Sequence, residues 1–272
     1  MLFEGTSVLL THELHESIRR AEIAAARSSL EAALRLRPSA GFAAIDVAGG
    51  FARFMGLASP MSRVFGAGAL APVTPDDVAT ITAFFESRGG TPSVFVWPLA
   101  HPTLPIELAA AGYAPVNYDN VLVSDDFETH AARDERIRVA SDIAAWARAS
   151  AAAFADRDIG MRQDDFVATV VAHTDGVCAL EAIDDGEIVA TAALSVHDGS
   201  AAFFAASTLP AHRGRGWHTA LIADRIARSR NTGALFMRAA AEPGSTSERN
   251  FKRCGFETLF TRSLWQRHVI RT

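Results

Sequence analysis

The stretch "STLPAHRGRGWHTALIADRIARSR", Ser207 to Arg230, sets two glycines and two arginines between an apolar run and a helical pattern. Glycines at 214 and 216 remove Cβ atoms where the chain turns from strand into helix. Several backbone N–H groups can then converge at the positive end of the helix dipole, an arrangement that binds phosphate. Arg213 and Arg215 add charge, and Thr219 offers a hydroxyl in the first turn. Two common phosphate turns do not fit. A Walker loop needs GxxxxGK[S/T], and the chain's only lysine is Lys252. A dinucleotide fingerprint needs GxGxxG, but Thr219 stands at its third glycine position, and no acid follows about 20 residues on at the end of a second strand.

Around that turn lie 272 residues, enough for one large domain or two of ordinary size. The composition, 49% hydrophobic and 21% charged, is that of a globular protein with ample core. Uncharged apolar runs stay below the roughly 18 residues a membrane span needs, so no membrane partner is expected. The start, "MLFEGTSVLLTHELHES", has an early glutamate and no basic leader, which argues against a signal peptide. Two cysteines, Cys178 and Cys254, are too few for a disulfide scaffold and suit a reducing cytoplasm; they support no Cys-based metal site. From His212 onward 12 basic residues face 4 acidic ones, leaving the rest of the chain at −13. A short positive end behind a Gly-rich turn suits a compact anionic ligand better than a nucleic acid. The alternative is a solvated helix face carrying Arg225, Arg228 and Arg230.

The elements that must position the turn can be outlined. Residues 11–36 read as a long amphipathic helix stopped by Pro38 and Gly41. "FAAIDVA" and "FARFMGLA" read as a hairpin across Gly49-Gly50. "TPDDVATITAFFESRGG" is a helix with Thr74 as N-cap and Pro75 at its first position. A strand "SVFVWPL", a short helix "HPTLPIELAAAGY" and a strand "NYDNVLVS" complete a first series. The polar segment 126–136 reads as a linker. After it come two helices, a hairpin around Asp184-Asp185-Gly186, "SAAFFAAST", the turn and its helix, the strand "ALFMRAAA", the helix "STSERNFKRCGF" and the strand "ETLFTRSLWQR". Both series close on helix, small residue, Gly, aromatic, then alternating strand, which points to an internal duplication of low identity, against two unrelated halves.

The sequence Arg213-Gly214-Arg215-Gly216-Trp217-His218 resembles the R/Q-x-x-G-x-G/A motif of the GCN5-related N-acetyltransferases, the GNAT family. The context is similar too: an apolar strand, Pro210 three residues before the arginine, and "SERNFKRCGF" about 35 residues on. The resemblance covers residues 137–267, and the first half looks like a degenerate copy without the arginine–glycine turn, as in tandem GNAT proteins. It implies that backbone amides from Gly214 to His218 hold the pyrophosphate of CoA, with Arg213, Arg215 and Thr219 beside it. It also implies that Ser207, Thr208 and Leu209 line the pantetheine arm, where adjacent parallel strands splay apart, and that Ser247 and Asn250 face the cosubstrate. For Ser247 the alternative is a helix cap; for Trp217, packing at the helix start.

This sequence departs from the family pattern in three places. His218 replaces a small residue, Phe251 stands where many members place a tyrosine that protonates the thiolate, and Phe203 to Ala206 offer no carboxylate. Glu242, just before Pro243-Gly244, is the candidate base, against a surface acid at a loop. Glu181 and His197 are weaker candidates, since strand faces are not phased by sequence alone. The loop Phe154 to Phe166, with Asp156, Asp158, Asp164 and Asp165, sits where family members shape the acceptor pocket.

The resemblance therefore implies a mixed α/β fold of two GNAT-like halves, each a mostly antiparallel sheet flanked by helices. Its expected domains are 1–125 (degenerate) and 137–272 (acetyltransferase). The implied function is transfer of an acetyl group from acetyl-CoA to a primary amine of a small molecule by direct attack, in the cytoplasm and without metal. Open alternatives are a non-catalytic acyl-CoA-binding module and a protein N-acetyltransferase, and the assembly is open to a homodimer.

Overall fold

The computed structural model describes residues 11–155 and 165–267. Its first series is α1 (His12–Leu36), β1 (Ala43–Val47), β2 (Gly50–Phe54), β3 (Arg63–Phe65), α2 (Pro75–Glu86), β4 (Ser93–Val96), α3 (Thr103–Ala110) and β5 (Tyr113–Ser124). The second is β6 (Ile137–Val139), α4 (Ile143–Ala155), α5 (Asp165–His173), β7 (Val177–Asp184), β8 (Glu187–His197), β9 (Ser200–Thr208), α6 (Trp217–Ser229), β10 (Phe236–Ala241), α7 (Thr246–Arg253) and β11 (Glu257–Arg267). The expected mixed α/β class is what the chain adopts. Strands β3 and β6 were not anticipated, because three residues carry too little alternation to be read.

The chain divides into two compact units, and the division does not follow the expected domain bounds. One comprises Thr11–Asp119 with strand residues 260–267, the other Asn120–Leu259. Sheet pairing decides this. The last five residues of β5 pair with β10 (Asn120↔Ala241 through Ser124↔Met237). The end of β11 pairs with β4 (Ser263↔Val96 through Gln266↔Ser93). Each series thus gives its final strand to the unit built by the other. The polar segment 126–136 is packed rather than free: Phe127 and Ala131 lie against a buried cluster, Arg230 Nε donates to the Phe127 carbonyl at 2.8 Å, and Arg133 pairs with the buried Asp224 at 2.9 Å.

In the unit of residues 120–259 the strand order is β5-β10-β9-β8-β7-β6. Strands β6 to β9 are antiparallel neighbours, and tight turns join β7 to β8 and β8 to β9. At Asp185-Gly186 and Asp198-Gly199 both turn residues take positive φ, the geometry whose twist matches a hairpin. Only β10 runs parallel to its neighbour β9, after the crossover through α6. Alternation along β7 sends Leu180 and Ala182 to one face, where Trp217 and Leu221 of α6 cover them. It sends Ala179 to the other, under Trp146 and Ala147 of α4 and Ala168 of α5. Phe251 and Phe256 close the core beside α6, and burying each phenyl ring contributes about 1.5–3 kcal/mol.

In the unit of residues 11–119 and 260–267 the order is β1-β2-β3-β4-β11, parallel only between β3 and β4 at Val64↔Val94. The crossover between those two strands is α2, as α6 is between β9 and β10. α1 buries Leu14, Ile18 and Ala21 together with Glu22. That carboxylate accepts from Arg262 Nη1 at 2.9 Å, and the guanidinium stacks on Phe95 at 3.8 Å.

Candidate functional site

α6 begins without a cap. Its N-cap is Gly216, at φ 84° and ψ 0°, and no side chain accepts a hydrogen bond from the first turn. Gly214 also lies in the left-handed region, at φ 77°. Such a backbone conformation costs an L-residue about 1–2 kcal/mol, and glycine adopts it freely. A Cβ built at either glycine meets no protein atom within 4 Å. The glycines are there for the backbone path and for whatever approaches it, not to relieve a clash with the rest of the chain. No side chain caps the first-turn amides of α6, which lie at the positive end of its dipole.

They face a cleft of about 570 Å³. Of the residues the sequence pointed to, Ser207, Thr208, Arg213, Gly214, Gly216, Trp217, His218, Thr219, Ser247 and Asn250 line it. Leu209 and Arg215 do not. The amide of Leu209 is bonded to the Val189 carbonyl at 2.9 Å, and Arg215 Nη1 lies 3.6 Å from Asp184. Arg213 Nε donates to the Thr208 carbonyl, and its Nη2 to the Ala153 carbonyl at the end of α4, both at 3.2 Å.

The cleft's second wall is the part of β9 that has parted from β10. The parallel ladder runs from Phe236↔Ser200 to Ala239↔Phe203 and stops there. Beyond it β9 carries a bulge: Thr191 pairs with Ser207 and Ala193 with Phe204, leaving two residues opposite one. Ala205 within it has φ 49°. A bulge bends its strand and ends pairing on one side, so β9 past Phe203 offers backbone groups toward the cleft.

The third wall is α7. Thr246, Ser247, Asn250 and Arg253 line the cleft at helical spacing. Asn250 Nδ2 donates to His218 Nδ1 at 3.1 Å, so the large residue at the end of the motif turns its ring to α7. Its edge also meets Phe251, with ring centroids 5.7 Å apart. Ser245, not Ser247, is the N-cap of α7, accepting from the Glu248 amide. His212, Thr246 and Arg253 were not anticipated; the repeat of polar residues at 246, 250 and 253 is the signal that could have found two of them.

The candidate bases separate. Glu242 is exposed just past the end of β10 and is not among the residues that line the cleft. His197 is held below its ordinary pKa by burial and by Arg238. It ends β8 beside the Asp198-Gly199 turn, away from the cleft lining. Glu181 is buried, 2% exposed, and accepts from Arg138 Nε at 2.8 Å. Phe251 is 3% exposed against Phe256 and offers no proton. Arg225 is wholly buried beneath Phe203, its guanidinium pushed down to about 9 by burial, with Nη2 unpartnered. Of the acidic loop expected at the acceptor pocket, residues 156–164 lie outside the described residues, and Asp165 is exposed at the start of α5. No group of three or more metal-ligating side chains occurs among the described residues, and no described helix is long and apolar enough to cross a membrane.

Residues 135–256 match the family model described as Acetyltransferase (GNAT) family. No curated protein matches the chain. Among solved structures, a GCN5-related N-acetyltransferase from Kribbella flavida superposes with a TM-score of 0.65 at 19% identity, over 92% of this chain and 96% of that one. A tandem GNAT protein from the clavulanic acid biosynthesis pathway gives 0.59 at 15% identity, over 94% and 96%. A functionally unknown conserved protein from Staphylococcus epidermidis gives 0.60 at 11% identity, over 87% and 98%. These likenesses carry the fold. The family model falls on the segment holding the uncapped helix, the parted strands and the cleft. Residues 135–256 thus form a domain that matches the GNAT acetyltransferase family model.

Proposed function

We propose that the protein transfers the acetyl group of acetyl-CoA to a primary amine of a small molecule, by direct attack in a ternary complex. The observation that carries this reading is the uncapped N-terminus of α6 opening on a cleft beside the unpaired end of β9. The amides of residues 214–218 would hold the pyrophosphate, with Arg213, His212 and Arg253 supplying positive charge or donors around it. The parted stretch of β9, Ala206 to Thr208, would take the pantetheine arm and aim the thioester carbonyl at the remaining donors. Nothing in this chemistry calls for a covalent enzyme intermediate or a metal.

The unit of residues 11–119 and 260–267 is proposed to bind no CoA. The helix equivalent to α6 is α2, and its N-terminus is filled. Thr74 accepts from Asp77's amide while Asp77's carboxylate accepts from that of Thr74, and Asp76 and Asp77 both sit in the first turn. An anion there would meet carboxylates, where the first turn of α6 carries no side-chain cap.

A second reading, an acyl-CoA binder without turnover, is favoured by one feature: Phe251 cannot protonate a thiolate. Measuring thiol release from acetyl-CoA across a panel of small amines, beside calorimetry with CoA, separates the two. Transfer predicts heat of binding together with thiol release. A binder gives heat alone.

A further inference from the structure

Four side chains form a row across the sheet face that α4 and α5 cover. Arg138 pairs with Glu181 across β6 and β7, Glu181 with Thr191 across β7 and β8, and Thr191 with Ser207 across β8 and β9. Directly opposite residues in an antiparallel sheet project from the same face. Two of the three steps are closed by hydrogen bonds: Arg138 Nε to Glu181 Oε1, and the hydroxyls of Thr191 and Ser207, each at 2.8 Å. Glu181, Thr191 and Ser207 are 2%, 1% and 3% exposed. Their neighbours on this face, Ala179 and Ala193, are apolar. A carboxylate and two hydroxyls there have displaced the small apolar side chains the face otherwise uses, at a desolvation cost. The row begins at Ser207 in the cleft wall and ends at Arg138, whose side chain is 60% exposed on the terminal strand of the sheet.

We infer that this row takes up the proton released by the acceptor during acyl transfer, with Glu181 as its terminus, an assignment that rests on the transfer reading above. The acceptor nitrogen forms its bond to the acyl carbon, and the C–S bond breaks with its electron pair leaving on sulfur. The proton lost from nitrogen goes to Ser207 Oγ as the Ser207 hydrogen passes to Thr191 Oγ1 and the Thr191 hydrogen to the Glu181 carboxylate. The thiolate takes a proton from solvent, and Glu181 returns its own to solvent at the Arg138 edge. The open step, Thr191 to Glu181, needs only a turn of the carboxyl, because opposed Cβ atoms lie about 4.5–5.5 Å apart. Ser207 is the member that reaches the cleft; Thr191 and Glu181 act through it as positioning residues. The covering helices leave Glu181 to this partner: the buried faces of α4 and α5 are Trp146, Ala147, Ser150, Ala151, Ala153, Val167, Ala168, Val170 and Val171, with no titratable side chain among them. Arg138 on β6 is the charged group bonded to it.

The test is thiol release from acetyl-CoA at saturation, with water as acceptor and then with a panel of primary amines, beside calorimetry with CoA for every variant. Using water gives a rate that does not depend on the identity of the amine. General acid–base assistance is worth about 10²–10⁴-fold, so Glu181→Gln and Thr191→Val are expected to lower the maximal rate at least about ten-fold, with CoA affinity within about three-fold of the parent. Thr191→Ser, which keeps the hydroxyl, is expected to hold the rate within about three-fold. Should Glu181→Gln fail to fold, the Thr191→Val and Thr191→Ser pair decides alone, valine being close to threonine in shape. Parental rates in Thr191→Val and Glu181→Gln overturn the relay and leave the transfer reading standing. A parent that binds CoA and releases no thiol with any acceptor removes the transfer reading, and the relay with it.

Discussion

Asn250 ties α7 to the first turn of α6: its amide nitrogen donates to His218 Nδ1 at 3.1 Å, while its oxygen accepts from Arg253 at 3.1 Å. With the oxygen facing the guanidinium, the amide presents its N–H to the imidazole. The pair holds one wall of the cleft at a fixed distance from the helix N-terminus. Asn250→Asp puts a carboxylate beside the proposed pyrophosphate site. CoA affinity is expected to fall about ten-fold, or 1.4 kcal/mol, while Asn250→Ser stays within about three-fold. Titration of CoA against both variants checks the difference; equal affinities would remove Asn250 from the site.

Phe251 packs edge-on to Phe256 at 5.0 Å, with the Arg225 guanidinium 5.9 Å from its ring. If solvent reprotonates the thiolate, a hydroxyl added there has little to do. Phe251→Tyr is expected to change turnover less than about ten-fold at neutral pH, measured as thiol release. A much larger gain would show that the departing sulfur lacks a proton donor in the natural protein.

Acid should loosen the turn before α7. Glu248 accepts from the Lys252 ammonium at 2.6 Å, from the Gly244 amide and from Asn120 Nδ2 at 2.9 Å. The hydrogen bond from Lys252, then that from Gly244, holds its carboxyl below the usual glutamate range. A carboxylate whose folded pKa is depressed contributes stability that is present above its unfolded value, near pH 4.5, and lost as pH falls through the folded one. Urea unfolding of Glu248→Gln between pH 3 and 7 is expected to show lower stability at pH 7 and a shallower loss toward acid than the parent. Parallel profiles would show that Glu248 contributes nothing to the acid limb.

The pair of Glu22 and Arg262 supplies a stability test in the other unit. Both side chains are more than nine-tenths buried, and Asp119 lies 3.6 Å from the same guanidinium. Removing one partner of a buried pair leaves the other uncompensated, which costs about 3–5 kcal/mol. Glu22→Ala is expected to fall in that range by chemical denaturation, whereas Glu22→Ala combined with Arg262→Leu should recover part of it. A loss below about 1 kcal/mol in the single variant would mean that Asp119 or water already compensates Arg262.

What could be read from the sequence was local. The cap at Thr74, the hairpin turn at Asp185-Gly186 and the glycine path at 214 and 216 follow from the conformations those residues alone favour. What stayed hidden depends on pairing between distant segments. The destination of β11 beside β4 is set by contacts more than 160 residues away along the chain. The polar row from Arg138 to Ser207 needs the register of four strands, which a one-residue slip would scatter to both faces. Glu242 reads as a candidate base because it follows a strand near the site, but whether it lines the cleft depends on the tertiary packing, and in the fold it is exposed outside that lining. Arg253 was overlooked for the opposite reason, since a helical arginine reads as surface until the helix is known to wall a cleft.

The central claim is that the α6 N-terminus binds CoA, and calorimetric titration of CoA against the parent and Gly216→Val tests it most directly. Gly216 sits at φ 84°, a conformation valine resists, and a side chain there enters the space the pyrophosphate would occupy. Arg213 is exposed and screened, so Arg213→Ala should cost only about 1 kcal/mol in affinity. One site per chain is expected in the parent, with Gly216→Val weaker by about 2–4 kcal/mol although still folded by circular dichroism. No heat from the parent, two equal sites per chain, or a Gly216→Val variant binding as tightly as the parent would contradict the account.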